Sequence, residues 1–171
     1  MRVQTDAGIV EGCRLDEVRY RVKLNVPSVL DLARKNCVAY VELGDPGVPH
    51  AVEQMARINW SDKEQLRNHA VALRHDPAFP KGANVNMFAL EAADTVRILT
   101  YERGVEDYTL ACGTGSASVA AVLWVKGMLP GNRLTVLNPG GTLTVEVDGC
   151  DGKVTQIWLE GPTEVTEIIE L

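Results

Sequence analysis

The sequence predicts an α+β fold, and three observations support that prediction. Short stretches of alternating apolar and polar residues recur along the chain, separated by glycine, proline and aspartate turns, which is typical of β-strands. Two stretches have helical patterning. The second of them, Ser116 to Met128, is apolar nearly all round, as is a helix enclosed by other elements. Together these observations predict many strands and two helices, one of them buried.

The composition limits which classes of protein this chain can belong to. The chain has 171 residues, of which 46% are hydrophobic and 23% charged, so it can form one domain with its own core. A formal net charge of −6 with scattered Lys and Arg disfavours a nucleic-acid partner. No apolar run has the length of a membrane span, and Met1-Arg2-Val3-Gln4 lacks an apolar signal core, so we expect a cytoplasmic protein without a membrane partner. Four irregularly spaced cysteines predict reduced thiols, not disulfides or a zinc site.

The first third of the chain predicts strands with one ambiguous segment. Residues 3–11 and 18–26 alternate and indicate a β-hairpin or meander. Residues 27–37 fit a short helix or an irregular loop equally well. Residues 37–43 indicate a strand, and the turn at 44–47 follows it.

The middle of the chain contains the first helix and two strands. The helix is predicted to begin at Ser61 or Asp62 and to end at Arg74, because Asp76-Pro77 follows. Residues 84–90 and 96–102 indicate strands.

The last part begins with the apolar helix, which Gly127 and the residues after it should terminate. Antiparallel strands and a final strand are expected to follow, at 134–137, 143–147, 154–159 and 165–171. The turn at 148–152 places Cys150 at the surface.

Cys112 precedes this helix, in the sequence Cys112-Gly113-Thr114-Gly115. Unpaired N–H groups of a first helical turn stabilise a thiolate, so we expect a lowered pKa. The same groups can bind a carboxylate, since glycine allows a ligand to approach the backbone. The alternative is that Cys112 is a small buried apolar residue, as most free cysteines are.

Five segments form an ordered set of motifs: Gly47-Val48-Pro49-His50-Ala51-Val52, Phe79-Pro80-Lys81-Gly82-Ala83-Asn84-Val85-Asn86, Glu102-Arg103-Gly104-Val105 followed by Ala111-Cys112-Gly113-Thr114-Gly115, Asn138-Pro139-Gly140-Gly141-Thr142-Leu143, and Leu159-Glu160-Gly161-Pro162. In this order they resemble the diaminopimelate epimerase family of cofactor-independent amino-acid epimerases. The resemblance implies a curved, mostly antiparallel sheet wrapped around the helix at 116–128. It also implies an isomerase of lysine biosynthesis that converts LL- to meso-diaminopimelate without a cofactor.

The resemblance also implies roles for individual residues. It makes Cys112 one of two cysteines that transfer protons at the α-carbon, which suits a thiol because its unperturbed pKa is about 8.5 and shifts easily. It implies that His50 and Glu102 influence the pKa of this thiol. The substrate-binding residues that it implies are Asn84, Glu102, Arg103, Gly113 and Thr114. One position departs from the family: Val48 stands where an asparagine that contacts substrate is common.

The other cysteine motif of the family, Cys-Gly-Asn-Gly, is missing. Cys13, Cys37 and Cys150 are not followed by Gly-x-Gly. The resemblance therefore divides the chain into three parts: 1–26 as strands of a missing first half, 27–162 as the epimerase-like C-terminal domain, and 163–171 as a final strand packed near the N-terminal strands. The expected partner is that first half, or a second copy of the chain, and the chain alone is expected to be inactive.

Three alternatives remain open from the sequence. The chain could be a catalytically incomplete relic that binds a partner, or an enzyme with Cys112 as a nucleophile and His50 beside it. It could also be similar to proline racemases, which share Cys-Gly-Thr-Gly but lack the Glu-Arg-Gly-Val segment; diaminopimelate is therefore favoured. Because the strands around Cys13 and Cys37 predict that both are buried, Cys112 is expected to be the most reactive thiol.

Overall fold

The computed structural model describes residues 1–5 and 8–164, and these residues confirm the α+β class. Twelve strands and two helices lie in them, with a 3-10 turn at Trp60–Asp62. The strands are β1 (Arg2–Thr5), β2 (Gly8–Arg14), β3 (Arg19–Leu24), β4 (Pro27–Lys35), β5 (Val38–Gly44), β6 (Gly47–Gln54), β7 (Asn84–Ala92), β8 (Thr95–Glu102), β9 (Asp107–Tyr108), β10 (Arg133–Asn138), β11 (Gly141–Cys150) and β12 (Lys153–Pro162). The helices are α1 (Lys63–Arg74) and α2 (Gly113–Val125).

All the strands belong to one mixed sheet. Its order is β1-β2-β3-β12-β11-β10-β8-β7-β6-β5-β4, and β9 pairs with β8 outside this path. Neighbours are antiparallel except for two parallel pairs, β6 with β7 and β8 with β10. A parallel pair needs a long crossover connection. The helices lie in these crossovers, α1 between β6 and β7, and α2 between β8 and β10.

The sheet curves around α2, as the resemblance predicts. This helix contacts β4 to β7 from one part of the sheet order and β10 to β12 from the other. Every residue from Gly115 to Leu123 is buried. Strand alternation supplies the surrounding wall: Ala39, Val41 and Leu43 of β5 pack in the same cluster as α2. The apolar composition of α2 on all sides is thus a consequence of its enclosure.

The opposite face of β5 to β8 is covered by α1. Ala70 and Leu73 of the helix pack in a second cluster with Val85, Met87 and Leu99. These strands are therefore buried on both faces, and their near-continuous apolar sequences follow from that.

The helix α2 differs from its prediction at both ends. It begins at Gly113 and not at Ser116, because Cys112 adopts an extended conformation as the N-cap and the two glycines continue directly into helix. At the other end Gly127 has a φ of 66°, and the N–H groups of Gly127 and Met128 donate to the carbonyls of Trp124 and Leu123. This is a Schellman termination, so the helix ends at Val125.

Strand pairing and residue exposure decide further predictions. Residues 27–37 form neither a helix nor an irregular loop: β4 pairs with β5 as an edge strand, and a turn follows. Residues 47–54 form β6, which the sequence did not indicate. The prediction that Cys13 and Cys37 are buried is wrong, because Cys13 lies on exposed β2 and Cys37 on the turn before β5. Cys150 is exposed as expected, although it ends β11 and does not lie in the turn.

The N-terminal strands continue the sheet beyond β12. β3 pairs with β12 from Leu24 to Arg19, whereas β1 and β2 form an outer hairpin that is largely exposed. After β12, the Thr163 N–H donates to the Val18 carbonyl at 2.7 Å. The predicted final strand at 165–171 lies outside the described residues. Within the described part of the chain, neither helix is long and apolar enough to cross a membrane.

Candidate active site

Cys112 lies at the N-terminus of the enclosed helix. Its backbone has φ −127° and ψ 108°, and its Sγ accepts a hydrogen bond from the Gly115 N–H at 3.4 Å. The Thr114 hydroxyl lies 3.6 Å from the same sulfur. The thiol therefore takes the place of the side-chain oxygen that commonly caps a helix.

The protonation of Cys112 is decided by two opposed effects. Burial raises the pKa of the thiol, while hydrogen bonds from Thr114 and Gly115 lower it and the charge of Glu102 raises it. The net pKa is raised. The expectation of a lowered pKa is therefore wrong in direction, because removal of the sulfur from water outweighs the helix terminus. Cys112 is a protonated thiol at neutral pH.

The two glycines after Cys112 are required by packing. A methyl group on Gly113 would lie 2.6 Å from Leu159 Cδ2, and one on Gly115 would lie 2.1 Å from Asn86 Oδ1. Glycine at these positions lets the helix start approach β12 and β7 closely. Gly113 and Thr114 also begin the helix, so their N–H groups have no carbonyl one turn earlier with which to pair.

His50 is buried beside this helix start. It is fully inaccessible to solvent, and its pKa is lowered to about 3 by burial and by the positive charge of Arg103. Its Nδ1 lies 3.1 Å from Asn86 Nδ2. Its Nε2 has no hydrogen-bond partner among the described residues. Burial keeps the imidazole neutral and its pKa low, so His50 is a weak base for the Cys112 proton, which argues against a cysteine nucleophile activated by His50.

Asn84, Glu102 and Arg103 come together through the pairing of β7 with β8. Asn84 is buried, and its Oδ1 accepts from the Arg103 N–H at 2.7 Å, just after β8 ends at Glu102. The Arg103 side chain donates to the Lys81 carbonyl at 2.9 Å. Glu102 is half-buried and acts on the Cys112 charge. Asn84, Glu102 and Arg103 therefore lie together. The charge of Glu102 acts on the pKa of Cys112, and the charge of Arg103 acts on the pKa of His50.

Asn86 is a polar residue that is not among the site residues predicted from the sequence. It is fully buried, and its amide bonds to His50, Thr100 and two backbone carbonyls. The Asn-Val-Asn alternation on a strand could have indicated it, since residues two apart share a face. Val48, which stands where an asparagine is common in the family, is 39% exposed. Among the described residues, no group of three or more His, Cys, Asp or Glu side chains is placed to hold a metal ion.

A family model described as diaminopimelate epimerase matches residues 44–164, a span that contains all the candidate site residues. The chain belongs to the diaminopimelate epimerase family. The resemblance seen in the motifs is thereby confirmed.

Relatives in the diaminopimelate epimerase family extend over nearly the whole chain. The diaminopimelate epimerase of Hydrogenobaculum is 34% identical over 183 residues, which cover 98% of this chain and 60% of the relative. That of Methanocella arvoryzae is 35% identical over 179 residues, covering 95% and 60% respectively. The chain thus spans about three-fifths of the length of these relatives.

Solved structures share the fold. A hydroxyproline epimerase from Agrobacterium vitis superposes with a TM-score of 0.68 at 18% identity, covering 94% of this chain and 55% of the other. A PhzF-family phenazine biosynthesis protein from Bacillus anthracis superposes with a TM-score of 0.64 at 13% identity, covering 99% and 68%. At these identities the likeness establishes the architecture alone.

Proposed function

We propose that this chain carries one of the two cysteine-bearing halves of an epimerase that acts on diaminopimelate. The single observation that carries the proposal is the position of Cys112, a buried thiol that caps the N-terminus of the enclosed helix. An α-carbon proton is removed without a cofactor only when the adjoining carboxylate is stabilised as charge develops on it. A thiol and a carboxylate-binding helix terminus at one place provide both requirements.

Each candidate residue has a role in this proposal. Cys112 is one acid/base, and its raised pKa means that it rests as the acid, ready to return a proton to the carbanion. The N–H groups of Gly113 and Thr114 bind the α-carboxylate. Asn84, Glu102 and Arg103 bind the polar groups of the substrate. His50 and Glu102 adjust the proton affinity of the thiol, and Glu102 does so by its negative charge.

The second acid/base must come from elsewhere. Inversion at carbon needs groups on opposite faces, and the chain's other cysteines are exposed at Cys13, Cys37 and Cys150. Cys150 follows Gly149, which packs against Trp124 near the far end of α2. We therefore assign residues 27–162 to the epimerase-like domain and residues 1–26 and 163–171 to contacts with a first half, or with a second copy of the chain. The chain alone should be inactive.

The test is reconstitution in trans. The chain is mixed with the separately produced first half of the Hydrogenobaculum relative, and deuterium incorporation at the α-carbon of diaminopimelate is measured in D2O. We expect exchange and stereoisomer interconversion only in the mixture. Cys112→Ala should abolish both, and Cys150→Ala, a control at an exposed thiol, should retain them.

Other outcomes discriminate the alternatives. Exchange by the chain alone, at a rate per chain that does not depend on concentration, would overturn the single acid/base assignment. A rate per chain that rises with concentration would point to two copies of Cys112 facing one substrate. A stable but inactive complex with the first half would favour a binding relic instead.

A further inference from the structure

Asn86 is fully buried on β7, and both the nitrogen and the oxygen of its side-chain amide have hydrogen-bond partners. Its Nδ2 lies 3.1 Å from the Ala51 carbonyl oxygen, from the Asn84 carbonyl oxygen and from His50 Nδ1. Its Oδ1 accepts from the Thr100 hydroxyl at 3.1 Å. A buried amide with this many partners is held in one orientation.

The orientation follows from the chemistry of the partners. Backbone carbonyls can only accept hydrogen bonds, so the atom that faces Ala51 and Asn84 must be the amide nitrogen, which donates. The same NH2 group faces His50 Nδ1. If Nδ1 carried a proton, two donors would face each other at 3.1 Å in a fully buried position. Nδ1 is therefore the unprotonated nitrogen of the ring.

We propose that Asn86 is a positioning residue that fixes His50 in the tautomer with its proton on Nε2. The imidazole is thereby a hydrogen-bond donor and not a base at Nε2, the nitrogen left without a partner among the described residues. A buried N–H donor favours negative charge nearby, and the lone pair of the ring lies at Nδ1, which faces the Asn86 amide.

Asn86 also connects His50 to the cysteine. A methyl group on Gly115 would lie 2.1 Å from Asn86 Oδ1 and 3.2 Å from Cys112 Sγ, so the amide and the sulfur border the same point. The start of α2 therefore packs against the Asn86 amide, and this amide packs against the His50 imidazole. A shift of Asn86 would move both the ring and the helix start.

The consequence for catalysis rests on the proposed function, whereas the tautomer does not. In an epimerase, a fixed Nε2–H donor would stabilise a thiolate or a carboxylate that gains charge during proton transfer. Loss of Asn86 should therefore lower kcat about 100-fold in the reconstituted enzyme, with a smaller change in KM.

The direct test uses nitrogen NMR on the 171-residue chain, without substrate. The chain has three histidines, and the other two, His69 and His75, are exposed. We expect wild-type His50 at neutral pH to show a pyridine-like Nδ1 and a pyrrole-like Nε2. In Asn86→Asp, where a carboxylate accepts but cannot donate, the proton should move to Nδ1 or the ring should become charged. In Asn86→Ala, the two neutral tautomers should mix.

A matched control is available in Asn138, another buried asparagine, whose Nδ2 donates to the Val136 carbonyl at 3.2 Å. Asn138→Ala should leave the His50 spectrum unchanged. A wild-type ring protonated on Nδ1 overturns the proposal even if neither Asn86 variant folds, and so does an Asn86→Asp variant that folds with Nδ1 still unprotonated. Failure of reconstitution with the expected tautomer present would refute the proposed function alone.

Discussion

At the scale of single residues, burial decides the chemistry of the candidate site more than sequence neighbours do. Cys112 has the helix terminus that the sequence predicts, yet its pKa is raised by removal from water. His50 is affected in the same way, since burial lowers its pKa to about 3 and keeps it neutral. Each group therefore rests in its uncharged form.

The state of Cys112 leads to a prediction about alkylation. Iodoacetamide reacts with the thiolate, so the buried, protonated Cys112 should be labelled more slowly at pH 7.5 than the exposed Cys13, Cys37 and Cys150. This reverses the expectation that Cys112 is the most reactive thiol. Peptide mapping by mass spectrometry after limited labelling measures the order.

The pH dependence has a definite sign. A pKa raised in the folded state favours folding while the thiol is protonated, and that contribution is lost as the pH rises above the unfolded value of about 8.5. As the pH is raised, the labelling rate of Cys112 should accordingly begin to increase at a higher pH than the labelling rates of the exposed thiols. Labelling of Cys112 ahead of the other three at pH 7.5 would show that the helix terminus outweighs burial.

At the scale of elements, α2 links the core and the candidate site. Its residues from Gly115 to Leu123 are enclosed by the sheet, and its N-terminal turn presents Cys112. The fit is closest at the helix start, where Gly113 meets Leu159 and Gly115 meets Asn86. The contacts that pack the start of α2 therefore also determine the geometry of the site.

A substitution at Gly115 tests this fit. Gly115→Ala would place a methyl group 2.1 Å from Asn86 Oδ1, so it should lower the free energy of unfolding by about 1–3 kcal/mol and displace Asn86. Gly131→Ala, where no atom of a non-adjacent described residue lies within 4 Å of the added methyl, should change the free energy of unfolding by no more than about 0.5 kcal/mol. Urea unfolding of both variants provides the comparison. Equal stability of the two would mean that the helix start adapts freely.

At the scale of the whole molecule, the sheet has two differently covered outer regions. β5 to β8 are covered by α1, whereas the outer side of β3, β12, β11 and β10 has a polar network that includes Arg133 paired with Glu146 and Glu160. Arg21 stacks over Trp158, with 4.1 Å from its Cζ to the ring centroid. Exposed ion pairs of this kind contribute little stability each. The stability of the fold therefore rests on the two apolar clusters.

The outer hairpin contributes to neither of these clusters. β1 is exposed throughout and β2 nearly so, and neither supplies a residue to the buried clusters. Deletion of residues 1–14 should thus lower Tm by less than about 5 °C, which for a chain of this size corresponds to about 1–2 kcal/mol. Thermal unfolding followed by circular dichroism measures the change.

A longer deletion is the control. Removal of residues 1–24 takes away β3, which pairs with β12, and exposes a central strand as an edge. That variant should self-associate, as light scattering would detect. A large loss of Tm in the shorter deletion would show instead that residues 1–14 belong to the folded core.

The sequence by itself determined the α+β class, the helix ending at Arg74, the strands at 84–90 and 96–102, the enclosed helix and the family. These follow from patterns that are local, such as apolar alternation, turn residues and contiguous motifs such as Glu102-Arg103-Gly104-Val105. The cysteine at a helix N-terminus was also evident, because a glycine-rich turn before an apolar run is a local signal.

Only the tertiary structure decided the rest. Residues 27–35 are a strand because β5 lies beside them, and Cys13 is exposed because it lies on the outer hairpin of the sheet. The direction of the Cys112 pKa depends on how completely the sheet encloses the helix start, and the bonds of Asn86 depend on β6, β7 and β8 meeting. Desolvation and hydrogen bonding between distant segments are properties of the assembled fold, which no local pattern in the chain encodes.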